Sequence, residues 1–496
     1  MTPRMMRMLV PTNDAVERTE LAPGFTVSRI STGLRPVSGT ERDGEVPEPE
    51  LTSAALDQYL DAGFTTFAMA NDYASGEVIA GPFQGRHARG NEAQTITTWV
   101  PEPGLITFEA VRAAVQRSLD RNGIERIDLL QFDAWSYADP VWLDCLFWLQ
   151  DLKEEGLIRH IGLTNFDTAH LRIAVTSGID VVSNQVSYSL VDQRARGRMT
   201  DLCLEHDIKL LVIGAAAGGL LAERWLGARQ PELKDLTTPA EAKYWRFIQA
   251  AGGWDPFQHI LDCLAGVAKK HKVSIADIVC RYMLDLPAVG AIIIGTRPGV
   301  KKHIQDNLRI FGVSLTRKNR SDIENALTRP DPIPGDCGDE YRRAPFLTAT
   351  GDAGGHFGDH PRPYETTRGP DRRSMVLTGT AWEETAGFSR AVRAGDHVWI
   401  SGTTATHRSR VIGGTDPEAQ AHFAIDKIEG ALKSLGGSLE DVVCTRVYVR
   451  DASMWEGVAR VHGERFGHIL PATTMIQAGL IGDAYLVEIE AEARVA

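Results

Sequence analysis

The sequence predicts an α/β protein, a (β/α)8 barrel followed by a smaller α+β domain. Its 496 residues suffice for roughly three ordinary domains or for one large barrel with a partner. Between residues 25 and 325 short β-branched runs alternate with helical stretches, the pattern of a parallel sheet with crossover helices. From Arg329 to Arg373 the chain turns dense in Pro, Gly and charge, which reads as an extended connection and a domain boundary.

The strand pattern is met by the runs 29–34, 65–70, 95–100, 126–132, 160–165, 180–186, 209–214 and 289–295, most followed by an amphipathic helix such as 108–121. Eight β/α units suit a closed barrel, whose chemistry sits at the C-terminal strand ends. The glycine-rich stretch 214–219 at one such end suits either close packing or ligand approach. The boundaries expected are an N-terminal extension over 1–24, the barrel over 25–328, the connection over 329–372 and the second domain over 373–496. There, strands are expected over 397–402 and 442–450. Asp416 and Pro417 open a helix as cap and first-turn residue. A helix over 454–466 and strands over 472–480 and 485–495 complete the unit.

With 43% hydrophobic and 24% charged residues, the chain is neither collagen-like nor disordered. It has no apolar run long enough to span a bilayer, and its start meets Pro11, Asn13 and Asp14 before any apolar core of signal-peptide length. A cytoplasmic location is expected. A net charge of -12 opposes a protein whose main task is gripping phosphate backbones, so the partner expected is a small molecule, not nucleic acid or membrane. Cys145, Cys203, Cys263, Cys280, Cys337 and Cys444 lie far apart; they suggest buried thiols, not zinc ligands or a disulfide framework. His356 and His360 lack partners at ligand spacing, and no metal is expected.

The segments DAGFTTFAMANDYASGE, IERIDLLQFDAW, HIGLTNFD, VVSNQVSYSLVD, AAAGGLLAERWLG and IIIGTRPGVKKHIQDNL together resemble the aldo/keto reductases. That resemblance implies a tyrosine proton donor helped by an aspartate, a lysine and a histidine. Tyr73 matches the tyrosine. Ala68 stands at the aspartate, Thr98 (with Trp99 as the alternative register) at the lysine, and Asp133 at the histidine; Ile213 replaces the aromatic residue that stacks on nicotinamide. Asn165 and Gln185 match residues that hold the carboxamide, and Thr164 stands where a serine or threonine is common. The eighth strand exits into Gly295, Thr296 and Arg297, with Asp306 and Asn307 on the next helix, where barrels often bind phosphate. The cofactor implied is NADP(H), and these residues are compatible with its retention and with its loss.

A phenol titrates near 10, and a nearby ammonium makes it a better acid; without one Tyr73 is a plain phenol. A carboxylate at position 133 opposes a growing alkoxide and favours a cation, an iminium or proton abstraction. The leading expectation is therefore non-redox acid–base chemistry of lyase, isomerase or dehydratase type on a small carbonyl or imine. Tyr73 would be the acid, Asp133 the base or cation stabiliser and Asp72 a further base. NAD(P)H-dependent reduction and non-catalytic ligand binding or assembly stay open. Trp99, Trp135 and Trp254 suit an apolar pocket or core packing alike.

GFSRAVRAGDHVWISG, GALKSLGGSLEDVVCTRVYVRD, ERFG and YLVEIEAEA resemble the Rid family (YjgF/UK114-like enamine/imine deaminases) with its chorismate-mutase-like fold, which implies a homotrimer. Ser401 and Glu488 match pocket positions. The arginine expected after Pro-Ala is Thr473, and a hydroxyl cannot grip a carboxylate as a bidentate guanidinium does.

Overall fold

The computed structural model describes residues 15–35, 49–70, 74–87, 93–102, 104–296, 301–342 and 362–496. An antiparallel hairpin, β1 (Arg18–Ala22) and β2 (Phe25–Ser28), comes first. Its Leu21, Phe25 and Val27 are buried with the inward-facing Ile96, Leu129, Val182, Leu211 and Ala291, so the hairpin plugs the interior of the barrel. β1 falls inside the segment expected as an extension; five residues of weak alternation gave little strand signal.

The barrel strands are β3 (Ile30–Gly33), β4 (Thr66–Ala70), β5 (Gln94–Trp99), β6 (Ile127–Phe132), β7 (Ile158–Thr164), β8 (Val181–Ser187), β9 (Lys209–Ile213) and β10 (Val289–Gly295). They close in the order β10-β3-β4-β5-β6-β7-β8-β9, all neighbours parallel, and they coincide with the eight runs predicted. Helices α1 (Pro49–Asp61), α2 (Ala74–His87), α3 (Phe108–Asn122), α4 (Val141–Glu154), α5 (Thr168–Thr176) and α6 (Arg198–Glu205) alternate with them. After β9 come α7 (Pro239–Ala250), α8 (Trp254–His271) and α9 (Ile275–Leu284), and after β10 come α10 (Lys301–Phe311) and α11 (Arg317–Ala326). Side-chain caps fix several starts: Asp167 accepts from the His170 N–H at 2.8 Å, and Ser274 and Asp277 form a reciprocal capping box.

The expected extended connection is packed in part. Cys337, Asp339, Glu340 and Tyr341 are buried, and a single helical turn, α12 (Asp339–Arg342), docks on the barrel. Among the described residues, Trp99 and Trp254 pack in the core and Trp135 borders a separate 200 Å³ cavity beside the second domain.

The second domain holds β11 (Glu365–Arg368), β12 (Ser374–Leu377), α13 (Ala381–Ala386), β13 (Ala391–Ala394), β14 (His397–Thr404), the short β15 (Thr406–His407) and β16 (Arg410–Val411), α14 (Pro417–Ser434), β17 (Val442–Val449), α15 (Trp455–Phe466), β18 (Ala472–Gln477) and β19 (Val487–Arg494). One seven-stranded sheet runs β11-β12-β13-β14-β19-β17-β18. β11 to β13 precede the first strand expected, because four-residue strands in polar sequence escape a period-2 pattern. Asp416 caps α14, accepting from the Ala419 N–H at 3.0 Å.

The two domains share a seam in which α14 lies against α5. Arg172 pairs with Asp416 at 2.8 Å, and the buried His170 bridges Asp167 (Nδ1, 2.6 Å) and Asp426 (Nε2, 2.9 Å). Asp426 also takes Arg465 at 2.6 Å. Asp144 of α4 receives His407 and Arg408 at 2.9 and 3.0 Å. Gly430 faces the barrel backbone so closely that a Cβ there would stand 2.3 Å from the Ala138 carbonyl oxygen. Among the described residues no helix is long and apolar enough to cross a membrane, and no cluster of His, Cys, Asp and Glu is arranged to hold a metal.

Candidate active site

The strand ends β3 to β10 open into one cavity of about 760 Å³. Ala68, Thr98, Asp133, Thr164, Asn165, Gln185 and Ile213 border its inner part, and Gly295, Asp306, Asn307 and Arg309 border the other end. Asp133 follows β6 and is buried at 4% exposure. Its two oxygens are both engaged: Oδ2 accepts from Asn165 Nδ2 at 2.9 Å and Oδ1 from Arg342 at 2.8 Å. Arg342 also donates to the carbonyls of Ala134 (2.9 Å) and Asn165 (2.5 Å), and its guanidinium lies 4.6 Å from the centre of the Tyr137 ring. Burial alone would lower the pKa of Arg342; Tyr137 and Asp133 outweigh it and the net direction is upward. Asp133, expected as base or cation stabiliser, is thus one half of a buried ion pair.

Asn165 leaves β7 with φ of 55°, a left-handed conformation that asparagine tolerates better than most residues. Gly338 then lets α12 sit on it, since a Cβ at 338 would come within 1.9 Å of the Asn165 oxygen. Thr164 Oγ1 donates to the Gln185 carbonyl at 3.3 Å, and Gln185 Oε1 accepts from Gln131 at 3.0 Å. Thr296, by contrast, is absent from the cavity wall; its hydroxyl bonds Tyr59 and its N–H donates to the Gly33 carbonyl at 3.0 Å. The site role expected for Thr296 gives way to a strut between β10 and α1. Asp72, Tyr73 and Arg297 lie outside the described residues.

Two wall residues carry no motif. Lys243 of α7 and Tyr341 of α12 are buried, and the ammonium donates to the phenol oxygen at 2.6 Å. α12 is clamped through Glu340, which pairs with the buried Arg194 at 2.8 Å, and Asp336 just before it accepts from the Thr168 N–H at 3.0 Å. The run DEYRR, an acid, aromatic and base cluster amid Pro and Gly, is the one signal that marks this turn.

In the second domain Glu488 packs on Gly402, where a Cβ would stand 2.0 Å from its Oε1, and Ser401 donates to the Ser389 carbonyl at 2.8 Å. Burial, then Glu490, pushes the Glu488 carboxyl upward. Thr473 is not brought to them: it lies on the edge strand β18, separated from β19 by β17, with its hydroxyl 3.0 Å from that of Thr445 and 3.4 Å from His462.

The model of the aldo/keto reductase family matches residues 29–328. The chain belongs to that family. An aldo-keto reductase of Mycobacterium sp. (strain JLS) is 32% identical over 295 residues, covering 57% of this chain and 88% of that protein. An aldo-keto reductase from Bacillus halodurans in its holo form has 20% identity, covers 63% of this chain and 96% of its own, and has a TM-score of 0.50, a likeness of fold alone. Residues 378–495 match the family model described as Endoribonuclease L-PSP. A member of the YjgF/YER057c/UK114 family from Mycobacterium tuberculosis is 45% identical, covering 25% of this chain and 99% of that one, with a TM-score of 0.23. The chain is thus an aldo/keto reductase-type barrel joined to a Rid-like domain.

Aldo/keto reductases typically bind NADP(H). The inner wall fits the carboxamide of such a group: Asn165 Oδ1 is buried without a partner, an acceptor of the kind an amide NH₂ satisfies.

Proposed function

We propose that the chain is a nicotinamide-dinucleotide-linked oxidoreductase acting on a small carbonyl or imine. The observation that carries this reading is the single cavity of about 760 Å³ joining Thr164, Asn165 and Gln185 to Gly295 and Asn307, a size within the usual range of ligand sites. Thr164, Asn165 and Gln185 would hold the carboxamide end, and Gly295 and Asn307 the opposite end. A bound dinucleotide supplies the hydride.

The chain's own residues then handle charge. Reduction of C=O or C=N demands a proton or a hydrogen-bond donor at the heteroatom. The Asp133 carboxylate, paired with Arg342, does not oppose that demand as a bare anion would. Tyr73 is the donor by its match to the family motif, and Tyr341, held by Lys243, presents a second hydroxyl on the same wall. Transfer of deuterium from C4-labelled NADH or NADPH to product, with stereospecificity, is the expected result. Tyr73→Phe is expected to lower the rate about 10²–10⁴-fold, the usual contribution of a positioned acid.

A second reading, non-redox acid–base chemistry, is favoured by Ala68 and Thr98, which line the cavity where the family has a carboxylate and an ammonium. It is the reading to adopt if substrate turns over without label transfer. Rid-type proteins are commonly trimeric, and we assign the second domain, over 373–496, the role of building a homotrimer. With Thr473 in place of the arginine, deamination of carboxylate-bearing imines is not proposed.

A further inference from the structure

We infer that Tyr341, backed by Lys243, is a second catalytic donor at the barrel mouth, its hydroxyl receiving the negative charge that gathers on the substrate heteroatom. The inference deepens the oxidoreductase reading above, in which Tyr73 delivers the proton. As carbon accepts the hydride, the π pair of C=O or C=N moves onto the heteroatom, and preorganised donors stabilise that growing charge. β4 and the end of β6 bring Ala68 and Asp133 to the cavity; the first has no polar group, and the second, when ionised, only accepts.

The wall made by α7 and α12 supplies the donor they lack. An ammonium carries donors and no acceptor. In the 2.6 Å bond between Lys243 Nζ and Tyr341 the phenol oxygen therefore accepts, and its own O–H serves a different acceptor. Successive hydrogen bonds polarise one another, so the ammonium strengthens that O–H as a donor. Both residues line the cavity, and the rings of Tyr244 and Phe247 lie 5.4 and 5.9 Å from the ammonium. Held away from water, the charge acts more strongly than it would on the surface.

The chain fixes the phenol from both sides. Glu340 before it pairs with Arg194 and Arg342 after it with Asp133, each at 2.8 Å. Tyr341 follows Gly338 by three residues, a spacing that makes neighbours on a helix, and Gly338 packs on the Asn165 backbone oxygen. The hydroxyl thus belongs to the same corner of the cavity as Asp133 and Asn165. α12 answers the carboxylate at position 133 twice: Arg342 pairs with it, and Tyr341 brings a hydrogen-bond donor.

The test uses 4-nitrophenolate as an oxyanion probe, titrated into the full chain; its visible absorption band moves when its oxygen takes hydrogen bonds. Wild type is expected to bind the probe, Tyr341→Phe to bind it about ten- to a hundredfold more weakly, Lys243→Met to share the loss and Lys243→Arg, which still donates, to keep most of the affinity. With 4-nitrobenzaldehyde and deuterated NADH or NADPH, Tyr341→Phe is expected to lower kcat about 10²–10³-fold with unchanged nucleotide affinity by tryptophan fluorescence. No binding of the probe by wild type, equal binding by Tyr341→Phe, or an unchanged kcat overturns the inference and leaves the oxidoreductase reading intact. Equal weakening of probe and nucleotide in that variant reports a disturbed wall and overturns it too. If wild type transfers no label while probe binding still depends on Tyr341, the oxidoreductase reading falls and the hydroxyl stands as an oxyanion donor for non-redox chemistry.

Discussion

The Asp133 carboxylate is held by two groups from distant parts of the chain, Asn165 and Arg342. Removing one partner of a buried pair strands the other, at a cost of about 3–5 kcal/mol, whereas replacing both can be nearly neutral. Arg342→Met is therefore expected to lower stability by about 3–5 kcal/mol, and Asp133→Asn combined with Arg342→Met to recover most of the loss. Guanidinium unfolding midpoints of the wild type and the two variants check this. Asp133, Thr164, Asn165 and Gln185 were legible in the sequence because they stand at strand ends within segments that resemble the aldo/keto reductase motifs. Arg342 was not: it is 209 residues from Asp133, and its single helical turn sits in Pro- and Gly-rich surroundings. Thr296 shows the converse limit, since position at a strand end does not say whether a hydroxyl turns to the cavity or to a neighbouring phenol.

At the scale of elements, α5 and α14 are joined through His170. Asp167 and Asp426 bracket its ring, Tyr137 stacks on it at 3.4 Å between centres, and Arg465, His422 and Asp336 complete the charged surroundings. Burial alone would lower the pKa of His170; the two carboxylates outweigh it and the net direction is upward. A histidine whose folded pKa is raised contributes stability that is complete below the unfolded value near 6.5 and is lost as pH rises through the folded pKa. Asp336 has the same sign: burial, then Asp167, pushes it from 3.8 up to about 6, so the folded state loses stability as pH climbs from about 4 to about 6. The thermal midpoint is expected to fall as pH is raised across both windows. His170→Gln flattens the part above about 6.5, and calorimetric scans over a pH series measure it. The eight barrel strands and the capped α14 were readable because β-branched runs and an Asp-Pro start are local signals. The seam was not, because a histidine between two carboxylates is a property of two helices meeting.

For the whole molecule, the seam leaves one face of the Rid-like sheet open. α14 is buried against the barrel, while Trp399 and Ile476, from strands of that sheet, are 47% and 49% exposed. A trimer formed through this sheet would carry its barrels outside. Light scattering is expected to give about three times the chain mass, and deletion of 373–496 a monomer; a monomeric full chain overturns the assignment. Trp399→Glu is expected to weaken the trimer without unfolding the barrel.

The bare backbone at Gly430 makes the two halves keyed to each other. A free-standing Rid-like domain grafted onto this barrel would seat only if it also lacked a side chain there and carried an acid opposite His170. The fusion has become a matched set, and its halves are no longer interchangeable parts.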